Sequence, residues 1–253
     1  MECYKEFARI YDELINSDID YFAFSNFILQ TCERYFVSKE NYLDLACGTG
    51  NLTVNIFNSF KLSFGVDMSI EMLTQAEKKV TNNSCKPKFI CQDICELNIN
   101  NSFDLITCCL DSINYITEKD SLKELFSKVK QHLKIGGLFI FDINSYYKIK
   151  NILGNNTFTY DSKEVFYVWE NRFEDEIVDM YLNFFIKQGE TYHRVDEEHS
   201  ERAYSADFIA GLLEEVGLEC LEVLDSYEQK AVSVETERIV FVVRLKSNIK
   251  EKV

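Results

Sequence analysis

Leu43-Asp44-Leu45-Ala46-Cys47-Gly48-Thr49-Gly50-Asn51 sets an acid near the end of a short apolar run and small residues in the turn that follows. Glycines in such a turn let the backbone approach a ligand with no Cβ in the way and can take positive φ, while the helix beyond offers N–H groups that lack partners within it. A tight strand-to-helix turn without a ligand accounts for the glycines and leaves Asp44 without a role. The stretch therefore reads as strand (42–46), binding turn and helix (about 52–60) of an α/β domain.

Working outward, 62–66 is a second buried strand, Ser69 caps a helix running to about 80, and 89–91 is a third strand. A fourth strand at 103–110, a helix at 122–133 ended by Gly136-Gly137 and a fifth strand at 138–143 follow. This alternation predicts a parallel sheet covered on both faces. Upstream, Phe7, Ile10, Tyr11, Leu14, Phe24, Phe27 and Ile28 recur at helical spacing, which predicts one or two helices over 4–36. After Asn144 the texture changes. Aromatic-rich runs at 165–173, 177–187 and 192–195, separated by Glu174-Asp175-Glu176 and Gln188-Gly189-Glu190, predict an antiparallel meander. A capped helix at 205–216 stopped by Gly217 and two closing strands at 218–224 and 238–245 complete the chain. The predicted organisation is one cofactor-binding domain, 1–145 and 203–248, with a small antiparallel insertion over 146–202.

A chain of 253 residues, 46% of them hydrophobic, can bury one sizeable core. It contains no run near the roughly 18 to 20 apolar residues of a membrane span, and Met1-Glu2-Cys3-Tyr4-Lys5 lacks the basic-then-apolar order of a signal peptide. A cytoplasmic protein is expected. The formal charge of −15, with no Lys or Arg run forming a basic face, argues against nucleic acid as a partner. Nine scattered cysteines read as reduced packing residues. Cys91 and Cys95 flank Asp93, yet no second pair or nearby histidine completes a tetrahedral metal site. Oligomeric state is not legible.

A dinucleotide turn needs Gly-x-Gly-x-x-Gly, and Thr53 stands where its third glycine would be. Asp44 is better matched to a cofactor with a cationic amine, which it could hold directly or through water. Asp67, 19 positions beyond Gly48 in Gly65-Val66-Asp67-Met68-Ser69, lies close to the roughly 20-residue offset at which an acid meets a ribose diol. In Cys91-Gln92-Asp93-Ile94 a carboxylate can accept from an adenine amino group while the apolar neighbour packs on the ring.

With Leu133-Lys134-Ile135-Gly136-Gly137-Leu138, these ordered stretches resemble the class I S-adenosylmethionine-dependent methyltransferases, closely over about 42–143. The resemblance implies a Rossmann-like, seven-stranded, mostly parallel sheet with its last strand antiparallel, and S-adenosyl-L-methionine as cofactor. Expected cofactor contacts are Tyr11, Asp44, Ala46, Cys47, Gly48, Gly50, Asp67, Met68, Gln92, Asp93, Ile94 and Leu110. Ala46 departs from the pattern, since many members have glycine there. Tyr4-Lys5-Glu6-Phe7-Ala8-Arg9-Ile10-Tyr11-Asp12 is similar to the start of a subgroup that includes sugar-amine and glycine N-methyltransferases. That likeness implies an N-terminal helix over the cofactor, with Tyr11 its covering aromatic, and an antiparallel β lid after the fifth strand.

Methyl transfer from a sulfonium is an in-line displacement that needs proximity, alignment and a free lone pair. The loop Leu110-Asp111-Ser112-Ile113-Asn114-Tyr115 follows the fourth strand, where ligands of such sheets sit. Asp111 and Tyr115 are candidate catalytic residues. Asp111, Asn114, Tyr115 and Trp169 are candidate acceptor contacts, and His193 of the lid is a candidate general base. The loop lacks the prolines of enzymes acting on nucleobase amines; the one proline of the chain is Pro87. The expected reaction is methylation of N or O of a small molecule, the alternatives being a protein or RNA methyltransferase or a noncatalytic cofactor-binding module.

Overall fold

The computed structural model describes residues 12, 19–80 and 86–246, in two sheets. The larger sheet is built from β1 (Asn41–Leu45), β2 (Leu62–Asp67), β3 (Lys88–Cys91), β4 (Phe103–Cys108), β5 (Leu133–Asn144), β10 (Leu218–Asp225), β11 (Lys230–Ala231) and β12 (Arg238–Leu245). Their order is β11-β10-β12-β5-β4-β1-β2-β3. β1 pairs in parallel with both β2 and β4, and β12 runs antiparallel to β5. The chain steps from β1 to one side through β2 and β3, then crosses back to β4. Ligands in open sheets of this kind bind beyond the carboxyl ends of the strands at that reversal.

Five α-helices are described: α1 (Tyr21–Arg34), α2 (Asn51–Ile56), α3 (Ile70–Lys79), α4 (Lys119–His132) and α5 (Ala206–Val216). Alternation along the strands divides the core in two. Leu43, Leu45, Phe139 and Phe141 pack with Phe126 of α4 and Leu213 of α5, whereas Tyr42, Leu138 and Ile140 pack with Phe27 and Ile28 of α1. Ser69 caps α3 by accepting from Met72 N, and Ser205 caps α5 by accepting from Phe208 N, as the sequence predicts. No helix among the described residues is long and apolar enough to cross a membrane.

The smaller sheet is β6 (Thr157–Asp161), β7 (Val165–Glu174), β8 (Ile177–Gln188) and β9 (Thr191–Arg202), antiparallel in that order. Its register puts Trp169, Leu182 and Glu197 on one rung, Asn171, Met180 and His199 on the next, and Phe173, Val178 and Glu201 on a third, all facing the same way. Tyr146, Ile149 and Leu153 pack against this face.

Four expectations need correcting. β6 was not predicted, because all but one of its residues are exposed and it shows no apolar alternation. β9 runs to Arg202 rather than stopping at 195, because its inward positions after Val195 are Glu197, His199 and Glu201, which hide the two-residue period. The large sheet has eight strands rather than seven, the extra one being the two-residue β11 paired to β10. Gly136-Gly137 does not separate α4 from a strand. β5 begins at Leu133 directly after α4, and Gly136, at φ +82°, lies where the register with β4 shifts.

Candidate functional site

The turn after β1 is built from left-handed backbone. Ala46, Gly48 and Gly50 have φ of 50°, 53° and 75°. A Cβ added at Gly48 would meet no atom within 4 Å, so this part of the turn faces open space. Ala46 is an L-residue in a conformation that costs roughly 1–2 kcal/mol without glycine. Beside the turn lies a cavity of about 40 Å³ walled by Tyr21, Ala46, Cys47, Gly48, Thr49, Asn51, Cys109 and Leu110.

Asp67, at the end of β2, accepts Gly48 N–H at 2.8 Å and Ser69 N–H at 2.9 Å. Burial pushes its carboxyl up, and these N–H groups pull the other way. Its neighbour Met68 is 76% exposed, an apolar side chain left uncovered beside the site. Asp93 accepts Cys95 N–H at 2.8 Å, and Gln92 bridges Asn98 N and Glu96 O at 3.3 Å each. Both therefore shape the short turn carrying Ile94, which packs against the core.

Asp44 sits lower. It is 2% exposed and accepts Thr53 Oγ1 at 2.5 Å and Thr107 Oγ1 at 2.7 Å, joining α2 to β1 and β4. Burial raises its pKa to about 6 against those hydroxyls. It is not in the cavity wall, so any hold it has on a bound amine is relayed.

The loop after β4 depends on residues the sequence reading missed. Leu110 and Asp111 both have positive φ, 59° and 55°. Their N–H groups go to the two carboxylate oxygens of Asp142, each at 2.8 Å. Tyr227 Oη and Arg238 Nη1 also donate to Asp142, and Arg238 Nη2 reaches Asp111 Oδ1 at 2.7 Å. Burial works against the charge of Arg238, and Asp142 and Asp111 overcome it, holding the guanidinium ionised. An acid inside the apolar run of β5, like Asp44 inside β1, was the available signal.

Asn114 is fully buried. Its amide donates to Asn144 O at 3.1 Å and Arg202 O at 2.9 Å and accepts Asn144 N–H at 2.9 Å. It fastens β9 to the loop, a different role from the acceptor contact expected. Tyr115 is 46% exposed and meets His199 edge-on at 5.8 Å. His193 is exposed and lies opposite Ile186 near the 188–191 hairpin, six residues or roughly 20 Å of extended strand from His199. His199 is the lid histidine beside Tyr115, and burial lowers its pKa. Next to His199 in the lid, Glu201 is buried and accepts Asn144 Nδ2 at 2.9 Å; burial, then Asp111, raises its pKa to about 8. Trp169 Nε1 and Asn171 Oδ1, on the same face, are buried without a hydrogen-bond partner among the described residues. Tyr11 lies outside the described residues. The described aromatic over the turn is Tyr21, whose hydroxyl bonds Asn51 and whose pKa burial raises to about 12.

Residues 43–137 match the family described as a methyltransferase domain. A protein of Geobacillus sp. (strain WCH70), named provisionally as a methyltransferase, is 33% identical over 245 residues, covering 95% of this chain and 99% of that one. The crystal structure of an S-adenosylmethionine-dependent methyltransferase from Clostridium acetobutylicum ATCC 824 matches with TM-score 0.91 at 53% identity, over 97% of this chain and 100% of the other. The sugar N-methyltransferase KedS8 from Streptoalloteichus sp ATCC 53650 shares the fold with TM-score 0.75 at 19% identity, over 92% of each chain.

Proposed function

The chain belongs to the S-adenosylmethionine-dependent methyltransferases, and from that premise we propose that it methylates a nitrogen or oxygen of a small molecule held between the 110–115 loop and the inward face of the four-stranded sheet. S-Adenosyl-L-methionine is the cofactor, and when bound it supplies an electrophilic methyl group on a sulfonium. The residues present fit it. The open side of Gly48 admits close approach of a ligand, and Asp67 keeps carboxylate lone pairs beyond its two backbone donors for a ribose diol. Met68 and Ile94 would flank the adenine, with Asp93 and Gln92 toward its edge, while Ala46, Cys47, Gly50 and Leu110 would meet the cofactor through the backbone of their turns.

The observation that carries the small-molecule reading is the tie between the small sheet and the loop. Arg202 N donates to Asn114 O at 2.8 Å and Arg202 Nε to Thr117 O at 2.5 Å, which fastens the end of β9 to the loop and would narrow the groove that a polymer needs. The overall charge of −15 also disfavours RNA. On this reading Asp111 and Tyr115 edge the site from the loop and Trp169 lines it from the lid, presenting an indole N–H to the acceptor. Asp111 is ion-paired to Arg238, so it serves by orienting the acceptor. His199 takes over the proton-accepting role assigned by sequence to His193. The KedS8 enzyme acts on a sugar nitrogen, which supports an amine as the first acceptor class to screen.

The test is incubation with methyl-labelled cofactor and a cell extract split into dialysable and retained fractions. Label entering the dialysable fraction supports the reading. Label confined to retained protein or RNA, or cofactor binding without any transfer, refutes it.

A further inference from the structure

Asp12 reaches the glycine turn from the amino-terminal end of the chain. Its Oδ1 accepts Thr49 Oγ1 at 2.6 Å and Asn51 Nδ2 at 2.9 Å, and its Oδ2 pairs with Lys79 Nζ of α3 at 2.6 Å. Lys79 also donates to Thr49 Oγ1 at 3.0 Å and Asn51 Oδ1 at 2.5 Å. A hydroxyl, an amide and an ammonium thus converge on one carboxylate, the donor set by which a small-molecule carboxylate is recognised. Burial opposes the charge of Asp12, yet Lys79, Thr49 and Asn51 together hold its carboxyl below the usual range.

Two of these residues also line the cavity beside the turn. Thr49, 1% exposed, and Asn51 line the cavity with Tyr21. At about 40 Å³ that cavity is far below the roughly 300 Å³ at which ligand pockets begin, and with Asp12 on the turn the donors of Thr49 and Asn51 are already occupied, while the side at Gly48 stays open. Charge narrows the choice of occupant. The amino-acid end of the cofactor carries a carboxylate as well as an amine, and a chain of −15 must provide a cation for it. Arg238 is committed to Asp111 and Asp142, whereas Lys79 stands opposite Asp12 beside the turn.

We propose that Thr49, Asn51 and Lys79 form the seat for the carboxylate of the cofactor, and that Asp12 is its internal stand-in, displaced when the cofactor enters. The proposal rests on the methyltransferase reading. Displacement exchanges one carboxylate for another on the same three donors, so Lys79 never loses its counter-charge while the cavity opens. Asp12 then competes with the cofactor and sets how readily it binds. The reverse arrangement, in which Asp12 stays on Lys79 and clasps a cover over the bound cofactor, gives Asp12 variants the opposite sign.

Calorimetric titration with S-adenosylhomocysteine and with 5′-methylthioadenosine, which lacks the amino-acid end, separates these cases. Lys79→Met is expected to weaken S-adenosylhomocysteine about tenfold or more and to change 5′-methylthioadenosine by no more than about twofold. Asp12→Asn is expected to tighten S-adenosylhomocysteine. Equal losses for both ligands in Lys79→Met, or weaker S-adenosylhomocysteine binding in a folded Asp12→Asn, overturn the proposal. Should Lys79→Met melt well below the wild type, Lys79→Gln replaces it with the same expectations. Wild-type protein that binds neither ligand would overturn the cofactor reading itself, a result distinct from a wild type that binds both with no selective loss.

Discussion

Replacing Asp142 with asparagine preserves the shape of the side chain and removes one charge, which isolates what the carboxylate does for the 110–115 loop. Asp142 is 0% exposed, and each oxygen faces two donors: Asp111 N–H and Arg238 on Oδ1, Leu110 N–H and Tyr227 Oη on Oδ2. An asparagine must turn its NH2 toward one of these pairs. The less costly choice is the Oδ2 side, where Tyr227 can rotate its hydroxyl to accept, leaving Leu110 N–H buried without a partner at about 1–3 kcal/mol. Loss of one of the two charged partners of Arg238 adds about 1.5–3 kcal/mol. The expected total, about 2.5–6 kcal/mol, brackets the roughly 3–5 kcal/mol that breaking a buried ion pair costs elsewhere. Urea unfolding followed by circular dichroism reads it, with Asp142→Asn/Arg238→Met expected to lose less than the sum of the single variants. A loss below about 1 kcal/mol in Asp142→Asn would refute the view that this carboxylate holds Leu110 and Asp111 in their left-handed conformations.

Three further outcomes are expected. Asp67→Ala should weaken S-adenosylhomocysteine by about 2–3 kcal/mol in calorimetry, by removing a charge-assisted acceptor; unchanged affinity in the folded variant removes the ribose assignment. Glu201, raised to about 8 by burial and then by Asp111, contributes stability that is present below about pH 4.5 and lost as the pH climbs through about 8. Glu201→Gln keeps an acceptor for Asn144 and cannot ionise, so its melting temperature should gain on the wild type between about pH 5 and about pH 9; a constant difference across that range would sink the assignment. Ala46→Gly should stabilise the protein by about 0.5–1 kcal/mol in urea unfolding, because glycine accepts φ 50° without strain; a less stable variant would show that the turn is not strained at Ala46.

The parallel half of the fold was legible because its physics is local. Short apolar strands, Ser69 and Ser205 as caps, and glycines at left-handed positions leave their mark within a few residues. The lid was legible only in part, since Glu197, His199 and Glu201 point inward and reverse the usual relation between polarity and exposure. Site residues divide the same way. Asp67, the candidate ribose ligand, stands out by its offset from the glycine turn, and its carboxylate accepts Gly48 N–H of that turn. Arg238 and Tyr227 come to Asp142 across 96 and 85 positions of sequence, and Lys79 to Asp12 from a different helix, so only the folded topology brings them together. His193 drew attention by residue type, but the register of β8 with β9 carries it toward the lid hairpin and leaves His199 beside Tyr115.

Calorimetric titration of the purified protein with S-adenosylmethionine, S-adenosylhomocysteine and NADH tests the central claim without requiring the acceptor. Binding of the first two with no heat from NADH is the expected result. Binding of NADH alone would contradict the account, because it would mean that the turn ending at Asn51 holds a pyrophosphate, and that Asp44 and Asp67 serve a different cofactor.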